Sequence, residues 1–591
     1  MDRVAEVDRS FQAPTVSLEE LQHWTNVMGR AQQMLIEHAT ETVLKQESKP
    51  VLPAAAPGWL SEADKLVQAH ADFWSDSMKL WQRFLSPANS TENAAATAEA
   101  DKDRRFSAPQ WRNNPVFDLI RQSYLLMSDH LLRNVDTLNG IEHRQREQIR
   151  FATKSFVDAL SPSNFAITNP VVIQRTIETK GENLLTGLKR MLGDMRKGQL
   201  THTDESAFEL GKNIAATPGK VVLETPLYQL IQYTPVTEKV DAIPLLIFPP
   251  WINRFYILDL NPKNSFIRWA VEQGLTVFVV SWKSADSTIA NSTMDDYVIG
   301  GLVHAIDTVR DLLGVPSINT IGYCVAGTAL NMALAWMAAN GQADKVNTAT
   351  FFTSQVDFSR AGDLTLLVDD HQLKVIETLS AETGYMDGRY MAATFNLLRG
   401  RDLIWNYVIQ NYMMGEDYPP FDLLYWNADT TNLPAKWHAS YLRDLYRDNK
   451  LVQPGSLNIA GTPIDLRKIN TPAYIQAGRE DHIAPAASVW KLTEHLRGPV
   501  RFVLAGSGHI AGVVNPPAAG KYQYWTNSKD AASLDEFIAG ATETKGSWWP
   551  DWRAWLESYG IGVVAATGAR QPGKGKLKAI EDAPGRYVRT R

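Results

Sequence analysis

Cys324 is the only cysteine in 591 residues, and its neighbours suit a nucleophile. Ile318, Thr320 and Ile321 read as a short buried strand, Gly322 permits a tight turn, and Ala326-Gly327-Thr328-Ala329-Leu330 resumes with helix formers. A strand-nucleophile-helix turn lifts a reactive side chain clear of the backbone, and small flanking residues let strand and helix approach closely. A thiol held there needs a base to make it a thiolate and a third group to orient that base. Two later segments supply both. The apolar run 473–477 ends in Gly478-Arg479-Glu480-Asp481-His482, and the run 500–504 leads to Gly506-Ser507-Gly508-His509. Asp481 as the acid and His509 as the base complete a Cys-His-Asp triad. His482 competes as base and ranks second, because it shares the turn of Asp481. Each residue alone has a plainer reading: a buried structural thiol, a capping or turn aspartate, a loop histidine. Three of them at the carboxyl ends of three expected strands favour chemistry. Acyl transfer also needs two donors for an oxyanion. The backbone N–H of Val325 is one candidate, and the loop after the run 243–248 offers Ile252 and Asn253 equally for the other.

The elements that must position these residues form an α/β pattern. Val221–Leu223 and Tyr228–Tyr233 read as short strands, followed by the continuous apolar runs Ile243–Phe248 and Leu275–Trp282. Such runs suit parallel strands buried on both faces. Ser292, with Asp295 three residues on, reads as the cap of a helix reaching Leu313. Val346–Phe352, Thr471–Ala477 and Val500–Leu504 continue the strands, while residues 357–465 contain no core strand and read as an inserted cap. Upstream, residues 1–210 read as a helical N-terminal domain with a linker at about 86–103. Ser17 and Glu20 open one amphipathic helix; after Pro57-Gly58 a second carries Trp59, Phe73, Trp74, Trp81 and Phe84. That aromatic face suits either internal packing or an apolar partner. The expected architecture is a helical domain, 1–210, and a catalytic domain, 211–591, with a mostly parallel sheet and the cap at 357–465. With its order of nucleophile, acid and histidine, the second domain resembles the α/β-hydrolase fold.

Composition narrows the function classes. A net charge of −6 and a hydrophobic fraction of 44% are ordinary for a globular protein and give no basic surface for nucleic acid. A single cysteine excludes an intramolecular disulfide and suits a reducing compartment. No signal peptide is evident and no run approaches a membrane span, so a cytoplasmic location is expected. Eighteen tryptophans raise the expectation of contact with a large apolar partner or substrate, although aromatic cores explain any single one.

Gly322-Tyr323-Cys324-Val325-Ala326-Gly327 resembles the cysteine lipase box of the class I polyhydroxyalkanoate synthases, with Ala326 where the family usually has Gly. Pro249-Pro250-Trp251-Ile252-Asn253, Arg479-Glu480-Asp481-His482-Ile483, Gly508-His509-Ile510-Ala511-Gly512-Val513, Gly546-Ser547-Trp548-Trp549-Pro550-Asp551-Trp552 and Ala583-Pro584-Gly585-Arg586-Tyr587-Val588 are similar to further blocks of that family. The resemblance implies (R)-3-hydroxyacyl-CoA as substrate, polyester carried as a thioester on Cys324, and release of coenzyme A. It implies no cofactor and no metal, a homodimer, and association with the polyester granule. It makes Arg399 a candidate phosphate partner for coenzyme A, against a plain salt bridge, and puts Trp426 either at a dimer contact or in the cap core. Asp481 then orients His509 or helps activate the substrate hydroxyl. A thioesterase or depolymerase on the same fold, and a granule-coating protein with a vestigial triad, are the competing readings.

Overall fold

The computed structural model describes residues 75–80, 103–138 and 141–590. The helix expected from Ser17 lies outside them. Of the second expected helix only residues 75–80 are described, as helix, and Trp59, Phe73, Trp74, Trp81 and Phe84 lie outside, as does the 86–103 linker up to residue 102. The chain divides into two compact units, one running to Thr201 and including Arg399–Tyr418, the other comprising His202–Leu398 and Pro419–Arg591. The division therefore falls near the expected residue 210, but residues 399–418, from the middle of the expected cap, group with the helical unit.

In that unit, helices α1 (Pro115–Asp136), α2 (His143–Ala159), α3 (Pro170–Glu178) and α4 (Glu182–Lys197) follow one another. Local chemistry sets their starts. Asn114 and Asn169 each accept a backbone N–H from the first turn of the following helix, and a proline occupies the first helical position, where no N–H is needed. A small core of Phe106, Trp111, Tyr124 and Val157 forms between α1 and α2, with Phe106 edge-on to Trp111 at 4.9 Å. Buried Asp158 accepts from Arg105 at 3.2 Å and from Arg401 at 2.6 Å. Helix α4 lies on the 408–413 segment: Asn183 donates to the Met413 carbonyl at 2.7 Å, and Tyr412 donates its hydroxyl to Asp194 at 2.6 Å. Gly187 faces the Tyr412 carbonyl so closely that no Cβ fits between them.

The second unit is built on one sheet of eleven strands: β1 (Gly219–Glu224), β2 (Tyr228–Tyr233), β3 (Leu245–Phe248), β4 (Val277–Trp282), β5 (Ile318–Tyr323), β6 (Val346–Phe352), β7 (Ala473–Gly478), β8 (Val500–Ala505), β9 (Gln523–Thr526), β10 (Thr542–Lys545) and β11 (Glu581–Asp582), in the order β10-β9-β8-β7-β6-β5-β3-β4-β2-β1-β11. The six strands from β8 to β4 are all parallel, and the flanking strands are antiparallel. Strands β3 to β7 of the parallel set consist almost entirely of buried residues, as continuous apolar runs require. Helices α5 (His304–Leu313), α6 (Val325–Ala339), α7 (Asp422–Ala428), α8 (Ala486–His495) and α9 (Trp549–Glu557) belong to the same unit. The capping pair before α5 is Thr293 with Asp296, one residue later than expected: the Asp296 carboxylate accepts the Thr293 N–H at 2.8 Å, while Asp295 accepts from Ala460. Strands inside the expected insertion are two residues long, such as Tyr385–Met386 paired with Leu433–Pro434, and none joins the central sheet. The tryptophans Trp111, Trp251, Trp437, Trp548, Trp549 and Trp552 are at most 1% exposed, so packing accounts for these members of the aromatic excess. Among the described residues no helix is long and apolar enough to cross a membrane.

Helix α4 contains a matched pair for testing the helical unit. Gly187→Ala forces a methyl into the Tyr412 backbone and should destabilise by about 1–3 kcal/mol, the usual cost of overpacking. Gly193→Ala, in the same helix with no atom within 4 Å of the new methyl, should instead stabilise by about 1 kcal/mol through helix propensity. Thermal or urea unfolding of the two variants checks the sign of each change.

Candidate active site

Cys324 sits where β5 passes into α6, with φ 53° and ψ −126°. A non-glycine residue there is strained, so its surroundings must hold it. They do so by close approach. A Cβ on Gly322 would come within 2.5 Å of the Gly327 Cα, and one on Gly327 would meet both the Gly322 carbonyl and Ser354. Ala326, where the resemblance led to Gly, is completely buried without needing that freedom. The Cys324 N–H donates to the Phe352 carbonyl on neighbouring β6 at 2.9 Å, pinning the turn to the sheet. Cys324 as a residue is partly exposed.

Asp481 and His509 extend from the carboxyl ends of β7 and β8, two strands that are parallel neighbours. Asp481 uses one carboxylate oxygen to accept the N–H groups of Ile483 and Ala484, at 2.8 and 2.9 Å. Its other oxygen pairs with His509 Nδ1 at 2.7 Å, and the carboxylate is wholly buried. With Nδ1 so engaged, Nε2 is the nitrogen left for the thiol. Burial disfavours the charged imidazole, but the Asp481 carboxylate and the Cys324 sulfur oppose it by charge and hydrogen bonding, and the His509 pKa is pushed up to about 10. The structure thus brings Cys324, His509 and Asp481 together. His482 is only partly buried, and the histidine paired with Asp481 is His509.

The loop bearing His509 is held by the tryptophans of the Gly546–Trp552 block. Trp548 donates its indole N–H to the Gly512 carbonyl at 2.7 Å and Trp549 to that of Val513 at 2.9 Å, while Trp552 reaches Thr350 on β6 at 3.0 Å. Tyr323, beside the cysteine, donates its hydroxyl to the His509 carbonyl at 3.0 Å. Sequence reasoning missed two further groups at the site, Tyr441 and Tyr446. Both phenols are buried, and their pKa values are raised by burial first and by the Cys324 charge as well. Tyr446 also receives the Gln355 amide at 3.4 Å. They lie in an aromatic-rich stretch where no spacing marks one tyrosine above another.

Val325 is the first residue of α6, so its N–H has no acceptor within the helix. In the loop after β3, Asn253 forms an antiparallel bridge with Thr430. Either pattern of such a bridge leaves the Ile252 N–H unused. Trp251 stacks on Tyr297 at 4.4 Å and fixes the start of that loop. Arg399 belongs to the helical unit, where it forms an exposed ion pair with Asp402. Trp426 is 4% exposed and donates to the Arg254 carbonyl at 2.7 Å, so within this chain it is a core residue.

Comparison with known proteins places this geometry in a family. Residues 102–270 match the family model described as poly-beta-hydroxybutyrate polymerase (PhaC) N-terminus, and residues 244–516 match the alpha/beta hydrolase fold. The chain is 44% identical over 539 residues to the poly(3-hydroxyalkanoate) polymerase subunit PhaC of Rhizobium meliloti, covering 90% of this chain and 87% of that protein. It is 43% identical over 548 residues to the poly(3-hydroxyalkanoate) polymerase of Methylorubrum extorquens, covering 92% and 90%. Against the PhaC subunit of Cupriavidus necator the identity is 44% over 520 residues, covering 86% and 88%. With such similarity across nearly the whole of each relative, and an α/β-hydrolase fold presenting a cysteine at its nucleophile turn, this chain belongs to the poly(3-hydroxyalkanoate) polymerase family.

Proposed function

We propose that this protein polymerises (R)-3-hydroxyacyl-CoA into polyester with release of coenzyme A, the growing chain being carried as a thioester on Cys324. The observation that carries the reading is a cysteine, in place of a hydrolase serine, at a nucleophile turn beside a buried His509–Asp481 pair. Exchange between the CoA thioester and an enzyme thioester is nearly isoenergetic, so the acyl group stays activated for the next hydroxyl. A serine ester would lie lower and favour a dead end.

In this mechanism His509 Nε2 takes the Cys324 thiol proton, and the thiolate attacks the thioester carbonyl. The N–H groups of Val325 and Ile252 donate to the oxyanion. The tetrahedral adduct collapses with cleavage of its bond to CoA sulfur, and the proton held by His509 goes to that leaving thiolate. The 3-hydroxyl of an acyl-CoA then gives its proton to His509 and attacks the acyl group on Cys324, which re-forms the thiolate and lengthens the chain by one ester. Asp481 holds the imidazole with Nε2 outward and stabilises its charged form. The polyester product supplies an apolar granule surface for the enzyme to occupy in the cytoplasm. A homodimer and a coenzyme A contact through Arg399 complete the proposal.

Purified protein incubated with 3-hydroxybutyryl-CoA should release CoA and form insoluble polymer with little free acid; stoichiometric free 3-hydroxy acid would instead make it a thioesterase. Cys324→Ala should reduce CoA release by more than about 10⁴-fold, beyond what acid-base assistance alone supplies. Cys324→Ser should retain little, since a hydroxyl needs far stronger activation than a thiol.

His509→Ala should be as damaging as loss of the cysteine, and His482→Ala close to wild type. Asp481→Asn removes the carboxylate that holds the His509 pKa near 10, so the pKa must fall toward its ordinary value. His509 then holds a proton beside the Cys324 sulfur less firmly. Alkylation of Cys324 by iodoacetamide at pH 7 should slow, and its rate should recover as pH rises. A pH-rate profile identical to wild type would remove Asp481 from this role.

A further inference from the structure

We infer that Arg254 is a positioning residue for acyl transfer: its buried guanidinium clamps the oxyanion loop to the 426–431 segment and to the carboxyl-terminal tail, and so sets the Ile252 amide. This rests on the proposed function, which makes that amide an oxyanion donor. The Arg254 side chain is 1% exposed and its partner Asp429 is 2% exposed. From this position Nε faces the Asp429 carboxylate at 3.4 Å, Nη1 donates to the Tyr587 carbonyl at 3.2 Å and Nη2 to the Thr590 carbonyl at 2.7 Å. The fork of the guanidinium is what allows one side chain to serve partners in three directions.

The rest of the loop is laced to the same segment. Tyr256 donates its hydroxyl to the other Asp429 oxygen at 2.7 Å, Trp426 donates to the Arg254 carbonyl at 2.7 Å, and Thr431 donates to the Trp251 carbonyl at 2.6 Å. Asn253 bridges to Thr430 between them. The tail is itself anchored, since the Tyr587 N–H donates to Gln229 of β2 at 3.1 Å and its hydroxyl to the Thr225 carbonyl at 2.7 Å. Trp251, Arg254 and Tyr256 are therefore each held by a polar contact to residues 426–431 or the tail, and the bridge of Asn253 lies between them. Ile252 lies in the middle of that lacing with its N–H left over. A guanidinium buried this deeply is costly unless fully paired, so the clamp cannot loosen at one point without exposing the others.

The test uses the single cysteine, because Cys324 can be followed by whole-protein mass. Alkylation by iodoacetamide needs the thiolate but builds no oxyanion, whereas acylation by 3-hydroxybutyryl-CoA needs both. In Arg254→Lys, which keeps the charge and loses the fork, acylation should fall by about 10-fold or more, while alkylation stays within about 3-fold of wild type. Tyr256→Phe, a milder change that removes only the hydroxyl on Asp429, should show the same split in smaller measure and keeps the test open if Arg254→Lys does not fold. Equal slowing of both reactions in folded variants, or no slowing of acylation in either, overturns the role. A wild-type protein that is alkylated but never acylated overturns instead the reading of the protein as an acyltransferase, and this result is visible before any variant is made.

Discussion

The strained turn at Cys324 is the constraint to which the rest of the catalytic unit answers. A left-handed φ at a cysteine is sustained only by close backbone packing, and Gly322 and Gly327 provide it by leaving no space for a Cβ on either side. The Cys324 N–H then joins the turn to β6, β6 pairs with β7, and β7 pairs with β8, so the strands carrying Asp481 and His509 are in register with the one carrying the thiol. The Asp481–His509 pair inherits its position from that ladder. The buried tryptophans of α9 and the residue before it act one step further out, by fixing the loop that His509 begins.

What could be read from the chain alone follows from how each element is stabilised. Strands β3 to β7 are buried on both faces, so their sequences are continuous apolar runs and were legible. The outer strands were not: Thr542–Lys545 is a polar, fully exposed edge, and Glu581–Asp582 is a two-residue acidic pairing, so neither has a periodicity to show. The triad was legible because its members stand just past the carboxyl ends of strands, where this topology puts side chains at one end of the sheet. Tyr441, Tyr446 and Arg254 were invisible because their significance lies in partners far away in sequence. Arg254 touches Asp429, Tyr587 and Thr590, and no local pattern encodes that meeting. Grouping of residues 399–418 with the helical unit has the same origin, since Asp158 holds Arg401 and Asn183 holds the Met413 carbonyl across long stretches of chain.

Packing accounts for part of the tryptophan content. An excess of large aromatics is compatible with a surface for an insoluble product, yet Trp111, Trp251, Trp437, Trp548, Trp549 and Trp552 are interior. Several combine bulk with a directed indole N–H, which lets them fill a core and fix a loop carbonyl at once. Contact with polyester, on the proposed function, must draw on other residues.

On the proposed function, charge around His509 gives the enzyme a means of alternating its base. The imidazole is buried, which disfavours its protonation, but charge and hydrogen bonding from the Asp481 carboxylate and the Cys324 sulfur outweigh this and raise its pKa to about 10. In the proposed mechanism, His509 that has taken the thiol proton stands beside the thiolate that attacks. Once Cys324 carries an acyl group, its negative charge and its hydrogen bond to the imidazole are both gone. Two of the contributions that raised the pKa have then been removed and the one that lowers it remains, so His509 gives up its proton more readily to the departing thiolate. A neutral imidazole is what the next 3-hydroxyl requires. When the new ester forms, the thiolate returns and the imidazole recovers its affinity for the proton. Asp481 is constant throughout, which is why it accepts two backbone N–H groups as well as His509: a carboxylate so anchored keeps the ring in place while the charge on the other side comes and goes.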